Sequence, residues 1–172
     1  METLIIDKVP RIIRNKKRLE ETLKLKITNR GKEVTIKGTP EDEYIGQSVL
    51  EALNVGFAYK RAITIKTENK ILEKINIKEH TKRENLASIR ARVIGKGGAA
   101  LKTLSDLTDS AIELNENTIS IITDSENLER ITKALIEIIK GAKHKAVYKE
   151  LENNFPKPIY DLGLKEEIKK FK

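Results

Sequence analysis

The 172-residue chain has no cysteine and no tryptophan. The first absence removes disulfides and thiolate metal sites. Aromatic residues are only 4% of the chain, which argues against recognition by broad stacked aromatic platforms. His80 and His144 are the two histidines, and no His-x-x-x-His pair or carboxylate cluster frames a metal. No serine stands beside a recognisable base, so nucleophilic catalysis lacks its parts. No apolar run approaches the roughly 20 residues of a bilayer-spanning helix. The opening residues, Met1-Glu2-Thr3-Leu4, lack the basic-then-apolar order of a secretory signal. The expectation is a cytoplasmic, non-enzymatic protein with no cofactor, no metal and no membrane partner.

Positive charge is in excess. Lys and Arg number 34 against 26 Asp and Glu, giving a formal net charge of +8 and a pI of about 9.5. That balance favours a polyanionic partner without separating RNA from DNA or an anionic surface. One stretch combines charge with bare backbone: Arg90-Ala91-Arg92-Val93-Ile94-Gly95-Lys96-Gly97-Gly98-Ala99-Ala100-Leu101-Lys102. Gly95 and Gly98 allow close backbone approach to a phosphate, and Arg92, Lys96 and Lys102 surround it with cations. The residues before it carry a helical stripe at Leu86, Ile89, Val93 and Ile94, and those after it another at Leu101, Leu104 and Leu107. A basic glycine loop between two helices is the GxxG pattern of a KH module, which clamps single-stranded RNA.

Other readings of the loop stand beside it. Gly95-Lys96-Gly97-Gly98-Ala99-Ala100 also satisfies G-x-G-x-x-A, but a dinucleotide site needs a strand before the loop and a parallel βαβ series. Lys102-Thr103 has the ending of a P-loop without its leading glycine. A purely structural turn is the remaining alternative.

The same element order can be read twice, as βααββα. In the second copy Ile75-Asn76-Ile77 is a candidate strand, followed by the two helices around the loop. Ile112 and Leu114, then Ile119 and Ile121, alternate as paired strands across Asn115-Glu116-Asn117. A long helix follows from Ser125, with Leu128, Ile131, Leu135 and Ile138 on one face, and stops near Gly141. In the first copy Leu4 and Ile6 fit a strand, and Pro10 opens a short helix. Leu25, Ile27, Val34 and Ile36 fit the strand pair, with Ile27 matched to Leu114 and Ile36 to Ile121. Thr39-Pro40 starts the last helix, with Ile45, Val49, Ala52 and Leu53 inward. The slot of the glycine loop holds Arg14-Asn15-Lys16-Lys17 instead, so this copy keeps charge but loses the backbone device. The expected class is α+β: two tandem type I KH domains, at residues 1–62 and 63–152, the first degenerate in its GxxG loop. Residues 153–172 read as a proline linker and a short helix. Chance similarity of two βα patterns is the competing explanation of the repeat.

Residues 71–152 resemble the second KH domain of the dual-KH small-ribosomal-subunit assembly factors, the partner-of-Nob or Dim-type family. The resemblance rests on Arg92-Val93-Ile94-Gly95-Lys96-Gly97-Gly98 and on Gly141-Ala142-Lys143-His144-Lys145-Ala146-Val147-Tyr148. Gly56-Phe57 and the glycine-free first loop match the family as well, and the compact archaeal form is the nearer comparison. The resemblance implies a non-catalytic protein that binds single-stranded small-subunit rRNA near its 3′ end during ribosome biogenesis. It also implies two protein partners, a Nob-type maturation endonuclease and a translation initiation factor subunit. Residues at 1–152 carry the match, and the tail has no counterpart.

The expected RNA contacts follow from the loop. Backbone N–H groups from Gly95 to Gly98 face phosphates, helped by the N-terminal dipole of the next helix. Lys96 and Lys102, with Arg90 and Arg92, add charge. Val93, Ile94, Leu101 and Ile112 are candidate linings of a four-nucleotide groove, although each is equally explained as core. Lys143, His144, Lys145 and Tyr148 are a candidate second contact on the strength of the resemblance, where an ordinary helix end is the plain alternative. Two other functions stay open: a general KH protein of RNA decay or regulation, and a protein-interaction scaffold with incidental RNA binding.

Overall fold

Short segments with one apolar face build two three-stranded antiparallel sheets. The computed structural model describes residues 1–154, so the proline linker and tail helix expected beyond them lie outside the described residues. Strands β1 (Glu2–Ile5), β2 (Lys26–Arg30) and β3 (Glu33–Lys37) lie in the order β1-β3-β2. Strands β4 (Ile71–Asn76), β5 (Ala111–Asn115) and β6 (Thr118–Thr123) repeat it as β4-β6-β5. Ile27 faces Ile36 across the first pair as Ile112 faces Ile121 across the second. The counterpart of Ile27 is therefore Ile112 rather than Leu114.

The second unit follows the expected βααββα order and adds to it. After β4 come α5 (Leu86–Ile94), the glycine loop, α6 (Ala99–Thr108), β5, β6 and α7 (Ser125–Lys140). A further helix, α8 (His144–Asn154), closes the described chain and takes in residues expected to begin the linker. The candidate strand at Ile75–Ile77 is displaced. Strand β4 begins at Ile71 and ends at Asn76, whose side chain accepts from the Lys78 amide and starts a 3-10 turn over Ile77–His80.

The first unit departs from the expectation. Between β1 and β2 runs one unbroken helix, α1 (Val9–Leu23), and Arg14-Asn15-Lys16-Lys17 sits in its middle. No loop exists there, degenerate or otherwise. Its order is βαββα, completed by α2 (Pro40–Val55) and the short α3 (Tyr59–Ala62) and α4 (Thr64–Thr67). Arg, Lys, Leu and Glu are all strong helix formers, and no glycine or proline interrupts them after Pro10. Ile12, Leu19 and Leu23 bury one continuous stripe, which ties the whole helix down. The first apolar cluster also reaches Ile65, past the boundary expected at residue 62.

Strand β6 is buried on both faces. Ile119 and Ile121 join the cluster under α5, α6 and α7. Ile122, on the other face, joins the first unit's cluster, against which Leu72 and Ala111 also pack. Burial is therefore continuous from Ile119 to Thr123 and takes in the hydroxyl residues Ser120 and Thr123, since a strand covered on both sides has no solvent face. An ion pair from Lys74 of β4 to Glu51 of α2 bridges the same junction.

Candidate nucleic-acid interface

Helix α5 starts at Asn85, whose side chain accepts from the Ser88 amide at 3.1 Å. Ile89 and Val93 anchor it in the second core. It stops at Gly95, where φ is +74°. A Cβ there would lie 2.6 Å from the Ala100 Cβ and 2.7 Å from the Ala100 amide nitrogen. The end of α5 and the start of α6 are thus in backbone contact, which only glycine permits. The Gly98 amide donates to the Gly95 carbonyl at 3.2 Å and closes the loop.

Gly97 and Gly98 are different. Both have left-handed φ, yet nothing lies within 4 Å of where their Cβ atoms would stand. The loop is tight on its inner side and open on its outer one. Gly98 leads directly into α6, whose N-terminus has no side-chain cap and no acidic residue in its first turn. Its amides and dipole therefore present partial positive charge to the surface. Lys96 stands exposed at the tip and Lys102 one turn further on. This arrangement can hold a chain of phosphates.

The expected residues divide sharply. Ile94 is 37% exposed beside the loop and Leu101 is half-buried, so both reach the surface. Val93 is wholly inside the core and lines nothing; Ile112 is 7% exposed and belongs mainly to the core. Arg90 donates to the Asn117 side chain at 3.1 Å, bracing the β5–β6 turn. Arg92 donates from Nε to the Ile138 carbonyl at 3.1 Å and from Nη2 to the Gly141 carbonyl at 3.0 Å and to that of Ala142. It satisfies the carbonyls at the end of α7, so these hydrogen bonds turn its guanidinium toward the protein.

His144, at the start of α8, meets the other side of this network. Its Nε2 lies 3.0 Å from the Arg92 carbonyl, which can only accept, so Nε2 carries the proton. Tyr148 follows one turn later and meets the His144 ring edge-on, with centroids 5.9 Å apart. Burial pushes the Tyr148 hydroxyl above its ordinary value. Lys143 and Lys145 flank them, exposed. Between α8 and the loop lies a groove of about 330 Å³, with Lys96, Ala99, Thr103, His144 and Tyr148 on its walls. Sequence reasoning passed over Ala99 and Thr103. The signal was present: they lie four apart on α6, on the face the loop itself presents. Among the described residues no group of three His, Asp or Glu side chains could hold a metal.

Comparison with known proteins identifies this arrangement. Residues 71–155 match the family model of the eukaryotic-type KH domain (KH domain type I), in the form of the second domain of PNO1. The second unit is a type I KH domain. A crystal structure of Dim2p from Pyrococcus horikoshii superposes with a TM-score of 0.81 at 26% identity, covering 88% of this chain and 98% of that one. An a/eIF2alpha–aDim2p–rRNA complex from the same organism gives 0.79 at 26% identity, over 89% of this chain and 92% of that one. The KH domain-containing protein MJ0443 of Methanocaldococcus jannaschii is 29% identical over 145 residues, 80% of this chain. The chain spans 63% of the length of that curated relative. The KH assignment fits the glycine loop: the segment before it is the helix α5, which excludes the strand-led dinucleotide pattern.

Proposed function

We propose that this chain binds single-stranded small-subunit rRNA near its 3′ end during ribosome assembly and rRNA maturation, without catalysing a step. The observation that carries the reading is the uncapped N-terminus of α6, opened by Gly97 and Gly98 and flanked by Lys96 and Lys102. The Gly95 and Gly98 amides, expected to face phosphates, are bonded to the Ala91 and Gly95 carbonyls instead. The Lys96 and Gly97 amides are therefore the ones that meet the phosphates of a strand of about four nucleotides, the length KH domains grip. Ile94 and Leu101 offer the bases an apolar floor, and Lys143 and Lys145 add charge from the start of α8. The likeness to a Dim2p seen with rRNA and an initiation factor subunit supports both the RNA class and that protein partner. The Nob-type endonuclease is a partner on family resemblance. The first unit is read as a degenerate KH copy, supported by its repeated strand register.

The test is a titration of a labelled rRNA 3′-end oligonucleotide, alone and annealed to its complement, across several salt concentrations. Unpaired RNA should bind more tightly, because the bases must splay out to enter the groove. Log affinity should fall with log salt at a modest slope, reflecting few released counterions. The double change Lys96→Asp with Gly97→Asp should weaken binding at least ~10-fold, while the melting temperature falls only by the left-handed backbone penalty at Gly97, about 1 kcal/mol or less. Tighter duplex binding with a steep slope would leave only general electrostatics.

A further inference from the structure

We propose that the groove between the glycine loop and α8 is a base-binding subsite for one nucleotide flanking those gripped by the loop. The inference rests on the RNA reading above and extends it to a second recognition element. Gly95 and Lys96 belong to both the loop and the groove. A strand whose phosphates cross the loop amides therefore delivers one of its ends to the mouth of the groove.

The walls suit a nucleobase. Tyr148 presents a half-buried ring, and Ala99 faces it from the first turn of α6 with a side chain too small to fill the space. An aromatic ring of this kind stacks on any base, since every base has a π-face. Polar groups are also in place. The Tyr148 hydroxyl has no hydrogen-bond partner among the described residues. A phenol is neutral at physiological pH, so it remains a donor. His144 has its Nε2 proton committed to the Arg92 carbonyl, which leaves Nδ1 as an acceptor in the neutral ring. Thr103 donates its hydroxyl proton to the Ala99 carbonyl at 2.8 Å and retains lone pairs.

Charge agrees with the assignment. The two grooves along the other faces of α7 mix the carboxylates of Glu129 and Glu137 with the Lys133 ammonium, so neither offers a polyanion a purely cationic wall. The groove beside the loop has Lys96 on its wall and no carboxylate. α8 is therefore more than a brace: it supplies a wall that a KH groove alone does not have.

The experiment compares a four-nucleotide single-stranded RNA with versions extended by two nucleotides at the 5′ end or at the 3′ end, each titrated against the full chain. Extension at one end only should tighten binding about tenfold, within the range of a single stacked base. An abasic residue at the flanking position should remove that gain. Tyr148→Ala should remove it too, with tetramer affinity held within about twofold. Because Tyr148 also packs on the core, Ala99→Trp is the second variant: it fills the groove from an exposed position and should have the same effect with an unchanged melt. A 4-thiouridine at the flanking position should crosslink to α8. Equal affinity at all lengths, equal gains at both ends, or tetramer binding that falls as far as extended binding in either variant would each overturn the subsite. A chain that grips the tetramer without any length gain defeats this proposal alone. A chain that binds no tetramer defeats the RNA reading and the subsite with it.

Discussion

Arg11 and Arg92 do the same structural work in the two units. Arg11, in the first turn of α1, donates to the Gly56 and Phe57 carbonyls at the end of α2. Arg92 donates to the Gly141 and Ala142 carbonyls at the end of α7. In each case the last helix of the αββα run closes on a glycine with positive φ, and the helix from the start of the unit supplies the cation that satisfies it. A guanidinium also suits the negative end of a helix dipole.

Arg92→Ala should therefore act through stability. Two or three carbonyls lose their partner at a cost of roughly 1–3 kcal/mol. Arg92→Lys should rescue little, since an ammonium cannot span three carbonyls as the planar fork does. Hydrogen exchange should quicken first at the end of α7 and the start of α8. A fully stable Arg92→Ala protein with weakened RNA binding would return this side chain to the phosphate-contact role.

The glycines of the loop should separate by substitution. Gly95→Ala forces a Cβ into the backbone of Ala100 and should cost roughly 2–3 kcal/mol, read as a lowered melting temperature. Gly97→Ala meets open space and carries only the left-handed backbone penalty of about 1 kcal/mol. Equal melting shifts would deny the close approach of α5 and α6.

Reversing Arg14, Lys16 and Lys17 to glutamate should weaken single-stranded RNA binding far less than Lys96→Asp with Gly97→Asp, measured at one salt concentration. These cations lie along an unbroken helix whose backbone amides are already bonded within it, so no amide is left to meet a phosphate. Comparable losses from both sets would show that α1 is a second RNA-binding face.

Acid should weaken the start of α2. The Thr39 hydroxyl and then the Lys66 ammonium hold the Asp42 carboxyl below its ordinary value. A depressed folded-state pKa contributes stability that is complete above the unfolded value of about 3.9 and is lost as pH falls through the folded one. The melting-temperature gap between the protein and its Asp42→Asn variant should be constant near neutrality and shrink below about pH 4. A gap that widens in acid would reverse the sign of this linkage.

Much of the site was legible because its signals are local. Two helical stripes, three glycines and the adjoining lysines lie within one short stretch, and their meaning comes from neighbours in the chain. The second unit's strands were legible for the same reason, through alternation at Ile112, Leu114, Ile119 and Ile121. The first unit misled because its repeat was projected onto α1, where helix propensity and the buried stripe of Ile12, Leu19 and Leu23 prevailed. Helix α8 escaped notice because only Val147 and Leu151 of its short length are buried, too few to mark a helical stripe.

From the residues alone came the α+β class, the glycine loop between two helices and the excess of positive charge around it. These depend on backbone freedom, periodicity and composition, which each segment carries with it. Only the tertiary structure decided which cations remain free. Arg92 finds its carbonyls 46 to 50 residues away, where α7 happens to end against α5. The same packing brings His144 and Tyr148 beside the loop. Hydrogen-bond partners so distant in sequence are set by how helices pack, and no local pattern encodes them.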